Sequence, residues 1–182
     1  PLVGRTLGVR RVHERKDSIV AELLLPVPRH PREVVLKVHR TFTGQSRTAE
    51  ARARHEHDVL QMLADAFERD GREPAATRRL GVPRPLALDG AHAALLLPRC
   101  PGRPLDALVR EARGPRRNEA RAALLEAVRD TGCWLRRMQE HWPGAQHGDF
   151  WPGNVFVAPN SIEVIDFEGF GEGIPYQDAA YF

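Results

Sequence analysis

The segment HGDFWPGN, from His147 to Asn154, and the run VIDFE that follows it constrain the fold of this chain most strongly. Two short β-type runs, 155–157 and 162–165, lie between Asn154 and Asp166. The residues APNS separate the two runs, and this composition is typical of a tight turn. The pattern predicts a β-hairpin that begins just after Asn154 and ends near Asp166.

Antiparallel pairing in this hairpin would place oxygen-bearing side chains together. If the turn centres on its Pro-Asn pair, Asn154 falls opposite Ile165 or Asp166. Side chains at paired positions lie roughly 5 Å apart at Cβ, which suits two hard oxygen ligands that share one Mg²⁺. Asp149 precedes the hairpin, near such a metal but not bound to it. We expect its carboxylate to accept or orient the proton of a reacting hydroxyl.

The spacing of these residues resembles that of the aminoglycoside phosphotransferase and choline kinase group. An Asp, an Asn five residues later and a second Asp beyond a hairpin follow the kinase pattern. Gly148 stands where protein kinases have Arg, as in kinases of small molecules. The resemblance implies that Asp149 is catalytic and that Asn154 and Asp166 bind Mg²⁺. The implied activity is ATP-dependent transfer of the γ-phosphoryl group to a hydroxyl of a sugar, aminosugar or amino alcohol.

The same resemblance implies an α+β, bilobal protein-kinase-like fold. Its N-lobe would hold an antiparallel sheet with one main helix, and its C-lobe would be mostly helical. We expect a nucleotide-binding lobe at 1–98 and a lobe at 99–182 with the catalytic loop and metal site. Proline and glycine after Arg99 are typical of the hinge between such lobes. The chain begins without Met and stops at Phe182, so we expect the second lobe to be incomplete at its C-terminus.

Lysine is scarce, since only Lys16 and Lys37 among the 27 basic residues are lysines. Lys37 lies in the strand-like run VVLKV, where a charged side chain on the same side as Val35 needs a counter-charge or a ligand phosphate. A compact ammonium suits the α and β phosphates of ATP as a point charge. The resemblance makes Lys37 the phosphate-binding lysine of the third strand. A strand-end lysine that reaches solvent is the alternative.

An acidic partner for Lys37 is predicted from helical spacing. The stretch from Ser46 to about residue 67 reads as a helix, with Ser46 as N-cap and Gly71 as the stop. Its apolar stripe consists of Val59, Leu60, Leu63 and Phe67. Glu56 falls on this stripe and Glu50 is rotated away from it. By resemblance, Glu56 is the helix glutamate that pairs with Lys37.

Further nucleotide contacts follow from the resemblance alone. The residues between the opening strands, predicted at 6–12 and 18–25, include no glycine, so this is not the glycine-rich loop of protein kinases. Small-molecule kinases of this resemblance often use a hairpin without the glycine-rich loop, which makes Ser18 and, more weakly, Lys16 candidate phosphate contacts. For Lys16, a position in a solvated turn is the alternative. Adenine would hydrogen-bond backbone groups from Leu97 to Arg99.

A second helix is predicted from about 118 to 141. Its apolar residues on or near one face are Leu124, Leu125, Val128, Trp134, Leu135 and Met138. Periodicity of this kind is typical of a core helix, and we expect Trp134 and Met138 to pack beneath the catalytic loop. The stretches 70–85 and 110–117 read as connections. In the resembled family, Asp178 would brace the catalytic loop rather than react.

Composition argues against other classes of function. The net charge of +3 and pI near 9.3 suggest a nucleic-acid partner, but the arginines are interleaved with 24 acids and no nucleic-acid motif accompanies them. Cys100 and Cys133 lack metal-ligand spacing, and no secretory signal or membrane-length apolar run is present. We therefore expect a cytoplasmic protein with a small-molecule hydroxyl acceptor, and neither nucleic acid nor membrane as partner. An inactive pseudokinase or scaffold is the alternative.

Overall fold

The computed structural model describes residues 8–26, 33–41, 46–71, 74–114, 117–174 and 176–182. The strands are β1 Gly8–Glu14, β2 Ser18–Leu24, β3 Glu33–His39, β4 Arg79–Gly81, β5 Ala87–Asp89, β6 Ala94–Pro98, β7 Arg103–Pro104, β8 Ala145–Gln146, β9 Val155–Val157, β10 Ser161–Val164 and β11 Gly171–Glu172. The helices are α1 Ala49–Asp70, α2 Leu105–Glu111, α3 Arg117–His141 and α4 Gln177–Tyr181, with a 3₁₀ turn at Pro152–Asn154. Thr6 and Leu7 of the predicted first strand lie outside the described residues.

These elements form an α+β protein that divides into two compact units. The first holds the described residues up to Asp58 together with Arg84–Arg99, and the second holds Val59–Pro83 and Cys100–Phe182. Helix α1 contributes residues to both units. The α+β class with an antiparallel N-terminal sheet is confirmed. The lobes at 1–98 and 99–182 stay a prediction, and Val59–Pro83 groups with the second unit.

The first unit is built on an antiparallel sheet in the order β1-β2-β3-β6-β5. β2 and β3 pair along their whole length, with Val20 opposite Lys37. One part of the core is formed by Leu23 of β2, Val34 of β3 and Leu25, which follows β2 directly. The predicted strand that carries Lys37 is therefore confirmed.

Both ends of α1 have identifiable caps. The hydroxyl of Thr48 accepts a hydrogen bond from the N–H of Ala51 at 3.2 Å, so Thr48 is the N-cap and the prediction of Ser46 is wrong. Both residues favour caps, and sequence alone could not separate two candidates two positions apart. The helix ends at Asp70, and Gly71 follows it with φ +69°, as predicted. Arg137 donates to the carbonyl of Gly71 at 3.0 Å and closes this end.

The second unit contains the predicted hairpin. β9 and β10 pair antiparallel, with Val164 opposite Val155 and Ile162 opposite Val157. β10 also pairs in parallel with β4. β4 lies inside the stretch 70–85, which the sequence predicted to be a connection without a strand. β4 has only three residues, and a strand this short leaves no periodic signal.

Helix α3 is a core helix from Ala127 onward. Trp134 and Met138 are fully buried, as predicted, whereas Leu125 is 70% exposed and Val128 is 38% exposed. The expectation that these two residues belong to the buried face is therefore wrong. The buried stripe runs instead through Ala127, Asp130 and Trp134, and helical geometry rotates Leu125 and Val128 away from it.

An aromatic cluster in the second unit supports the segment HGDFWPGN. The ring of Trp134 stacks on Phe67 at 5.4 Å and on Phe150 at 5.8 Å between centroids. Its indole N–H donates to the carbonyl of Gly81 at 2.9 Å, which satisfies the one polar atom of this buried side chain. Phe150 belongs to HGDFWPGN, so the cluster supports that segment directly. Among the described residues, no helix is both long and apolar enough to cross a bilayer.

A buried carboxylate joins α3 to the segment before β4. Asp130 accepts hydrogen bonds from the N–H of Thr77 at 2.9 Å, from its hydroxyl at 2.7 Å and from Arg78 at 2.8 Å. Burial acts to raise the pKa of Asp130, but the bonds from Thr77 and Arg78 outweigh it and hold the pKa below its ordinary 3.8. The folded chain therefore favours the ionised form of Asp130.

We expect this site to make stability depend on acid pH. A lowered carboxyl pKa contributes stability that is complete above its ordinary value and is lost as the pH falls through the folded value. Asp130→Asn should lower the free energy of unfolding at pH 7 by about 1–3 kcal/mol, the cost of a disrupted buried hydrogen-bond set. Urea unfolding from pH 7 to pH 3 checks this. A variant as acid-sensitive as wild type would contradict the assignment.

Candidate active site

Asn154 and Asp149 are hydrogen-bonded to each other. The 3₁₀ turn places the buried side chain of Asn154 at the start of β9. Its amide nitrogen donates to the Asp149 carboxylate at 3.0 Å and to the Asp149 carbonyl at 3.0 Å. Because only the nitrogen of an amide can donate, the Asn154 oxygen is the atom of this group that can bind a cation. Asp149 itself is exposed.

Asp166 follows the hairpin in a strained backbone conformation. The N–H of Ile165 donates to the carbonyl of Asn154 at 3.0 Å, so Asn154 lies opposite Ile165, as predicted. Asp166 comes next in the chain, with φ +72°. Such left-handed conformations are uncommon outside glycine and concentrate at functional sites. The hairpin therefore brings the Asn and the second Asp to the same end.

His147 holds the loop that carries Asp149 in place. Nε2 of its buried ring lies 3.0 Å from the carbonyl oxygen of Ile165. Nδ1 of the same ring accepts a hydrogen bond from the N–H of Asp149 at 3.2 Å. Because a carbonyl only accepts, Nε2 carries the proton. Burial lowers the pKa of His147 below its ordinary 6.5, against the pull of Asp178 and nearby acids, so the ring is neutral at pH 7.

Asp178 braces the same loop from α4. Its buried carboxylate accepts from the N–H of His147 at 2.6 Å and from the N–H of Gly148 at 3.1 Å. Two bonds from consecutive backbone amides fix the loop ahead of Asp149. The bracing role expected for Asp178 is thus present in the structure.

Gly148 is required by a close backbone approach. It has φ +86°, and a Cβ added there would lie 2.5 Å from the carbonyl oxygen of Gly169. Any side chain would force apart the loop that carries Asp149 and the segment after Asp166. Gly148 therefore distinguishes this motif from that of protein kinases and is also required by the packing of the loop.

In the first unit, Lys37 and Glu56 form the predicted ion pair. The ammonium of Lys37 lies 3.0 Å from Oε1 and 2.8 Å from Oε2 of Glu56. The two residues are 6% and 1% exposed, and removing one partner of so buried a pair costs about 3–5 kcal/mol. Contact with phosphates stays a prediction for both residues.

The remaining predicted nucleotide contacts lie in the first unit. Ser18 is buried at the start of β2, and its hydroxyl donates to the Asp17 carboxylate at 3.2 Å. Leu97 is buried on β6. The N–H of Arg99 donates to the carbonyl of Glu33 at 3.2 Å, so this N–H is already used within the first unit. The nucleotide roles of Ser18, Leu97 and Arg99 stay predictions.

Sequence reasoning missed two buried polar neighbours of Glu56. Arg52 and His39 are 4% and 3% exposed. Spacing carried a weak signal for them, because Arg52 lies four residues before Glu56 on α1 and His39 lies two residues after Lys37 on β3. The abundance of arginine in the chain obscured the first.

Comparison with known proteins finds one family that matches the C-terminal part of this chain. Residues 108–182 match the family model APH, the phosphotransferase enzyme family. The matched stretch contains Asp149, Asn154, Asp166 and Asp178, so the resemblance inferred from HGDFWPGN is confirmed over these residues. No curated protein matches the chain significantly.

Proposed function

We propose that this protein transfers the γ-phosphoryl group of ATP to a hydroxyl of a small molecule such as a sugar, aminosugar or amino alcohol. One observation carries the proposal: a single amide, that of Asn154, binds the Asp149 carboxylate through its nitrogen at 3.0 Å and lies at the hairpin end that leads to Asp166. The match to a phosphotransferase family over residues 108–182 supports the reaction class.

The residues present fit a magnesium ion. The oxygen of Asn154 and the carboxylate of Asp166 are hard ligands, and Asn154 cannot turn without breaking its two bonds to Asp149. A bound Mg²⁺ would neutralise charge on the phosphates. Asn154 and Asp166 would hold it, and the backbone strain at Asp166 is consistent with a carboxylate fixed in advance of binding.

The chain's own residues then supply positioning and electrostatics. Asp149 orients the acceptor hydroxyl and takes its proton, with Asn154 fixing the carboxylate. Lys37, held by Glu56, binds the phosphates as a point charge. Catalysis of this kind depends on geometry and charge and forms no covalent enzyme intermediate. We further propose the bilobal kinase-like arrangement, with lobes at 1–98 and 99–182.

Calorimetric titration of ATP with and without Mg²⁺ tests the proposal. We expect binding that requires Mg²⁺, with AMP as a control that lacks the β and γ phosphates. Binding would justify screening sugars, aminosugars and amino alcohols by coupled detection of ADP. Failure of ATP to bind in either condition would contradict the proposal and favour a pseudokinase or scaffold.

A further inference from the structure

The Lys37–Glu56 pair belongs to a larger buried cluster in the first unit. Lys37, His39, Arg52 and Glu56 are each at most 6% exposed. On β3, Lys37 and His39 are two residues apart and share a face, and on α1, Arg52 and Glu56 are one helical turn apart. Strand and helix therefore each contribute two polar groups to one water-poor site, where every charge needs a partner.

Arg52 determines the protonation of His39. One guanidinium nitrogen of Arg52 lies 3.3 Å from Nδ1 of His39 in hydrogen-bond geometry. A guanidinium has donors only, so Nδ1 must be the acceptor and carries no proton. His39 is consequently neutral, with its proton on Nε2.

The protonated nitrogen of His39 faces Glu56. Nε2 lies 3.1 Å from Oε2 of Glu56, the same oxygen that is 2.8 Å from the Lys37 ammonium. The contact lacks ideal hydrogen-bond angles and acts as a dipole directed at the carboxylate. A neutral ring restrains Glu56 without adding charge, whereas an imidazolium would compete with Lys37 for the carboxylate and face Arg52 as a second cation.

Arg52 also anchors the turn between β1 and β2. Its guanidinium donates to the carbonyl of Asp17 at 3.0 Å and to the carbonyl of Arg40 at 3.1 Å. The Asp17 carbonyl accepts in addition from the N–H of Arg40 at 2.7 Å. Ser18, which follows Asp17, begins β2. One side chain of α1 therefore ties the helix to this turn and to the end of β3.

We propose that Arg52 and His39 are positioning residues for the nucleotide phosphates. Arg52 fixes the tautomer of His39 and the turn before Ser18, and His39 restrains Glu56 so that Lys37 keeps one direction. The inference rests on the proposed function of Lys37 and adds two residues that act on it indirectly. Misplacement of a positioning group costs on the order of 10- to 100-fold.

Rescue by a matched amide separates positioning from packing. The nitrogen of a Gln side chain can replace the donor Nε2, whereas the shorter Asn reaches only the place of Nδ1. We expect His39→Gln to bind MgATP within about threefold of wild type, and His39→Asn and Arg52→Met to bind about 10- to 100-fold more weakly. His57→Gln and Arg54→Met, exposed or half-buried on the same helix, are the controls.

The measurements are calorimetric MgATP affinity, thermal midpoint and long-range ¹H–¹⁵N spectra of the histidines. The spectra should show His39, assigned by its loss in His39→Gln, as the Nε2–H tautomer in wild type. A doubly protonated ring or the Nδ1–H tautomer overturns the inference, even if Arg52→Met fails to fold. So does a folded His39→Asn that binds MgATP as tightly as His39→Gln. Wild type that does not bind MgATP overturns the proposed function, and the phosphate-positioning role with it.

Discussion

Asp149→Asn is expected to lower phosphoryl transfer by about 100- to 10,000-fold, the usual contribution of a positioned general base. Asn keeps the shape of the side chain and removes its charge, so the acceptor hydroxyl loses the group that takes its proton. The Asp149 carboxylate is exposed and is fixed by Asn154 at 3.0 Å. Coupled detection of ADP, with an acceptor found by the screen described above, measures the loss.

The same variant should bind MgATP nearly as well as wild type, because Asp149 is assigned to the acceptor and not to the metal. Asp58→Asn, an exposed carboxylate on α1, is the matched control and should leave both quantities unchanged. Wild-type turnover in Asp149→Asn would show that the proposed mechanism is wrong. Full turnover loss together with lost MgATP binding would instead assign Asp149 to the nucleotide.

Local patterns predicted the parts of the site that local geometry determines. The register of the hairpin followed from the turn between its two runs, and Asn154 does lie opposite Ile165. The burial of Glu56 followed from its place on the stripe of α1, and its partner Lys37 stood out because lysine is scarce in this chain. In each case a few neighbouring residues carried the information.

Contacts between distant segments could not be predicted in the same way. β4 is identified only by its parallel pairing with β10, more than eighty residues later. Asp130 reads as an ordinary helix acid until the structure shows Thr77 and Arg78 beside it. The same holds for Arg52, which bonds to groups in two other segments of the chain. Single residues with long-range partners leave no periodic signal.

The strained backbone at Asp166 is another feature that the sequence could not predict. The resemblance predicted a metal-binding role for Asp166, but not that this residue would have φ +72°. Asp tolerates this conformation better than most residues with a side chain, because its short polar group can bond locally. The combination of strain, a carboxylate and the adjacent Asn154 points to a ligand site more strongly than any of the three alone.

Asp166→Ala is expected to remove the magnesium dependence of ATP binding. The variant lacks one of the two proposed protein ligands, so the affinity measured with Mg²⁺ should fall to that measured without it. Turnover should fall by about 100- to 1000-fold, the usual cost of one preorganised electrostatic group. Calorimetric titration of ATP at matched ionic strength, with and without Mg²⁺, checks the first expectation.

Asp166→Asn separates the loss of charge from a disturbance of the backbone. Asn adopts positive φ about as readily as Asp, whereas Ala does not, so the loop should keep its conformation in this variant. We expect Asp166→Asn to retain wild-type thermal stability. Its affinity for ATP should nevertheless be nearly the same with and without Mg²⁺. If magnesium increased the ATP affinity of both variants as much as that of wild type, Asp166 would not be a metal ligand, and Asn154 would have to hold the ion with a different partner.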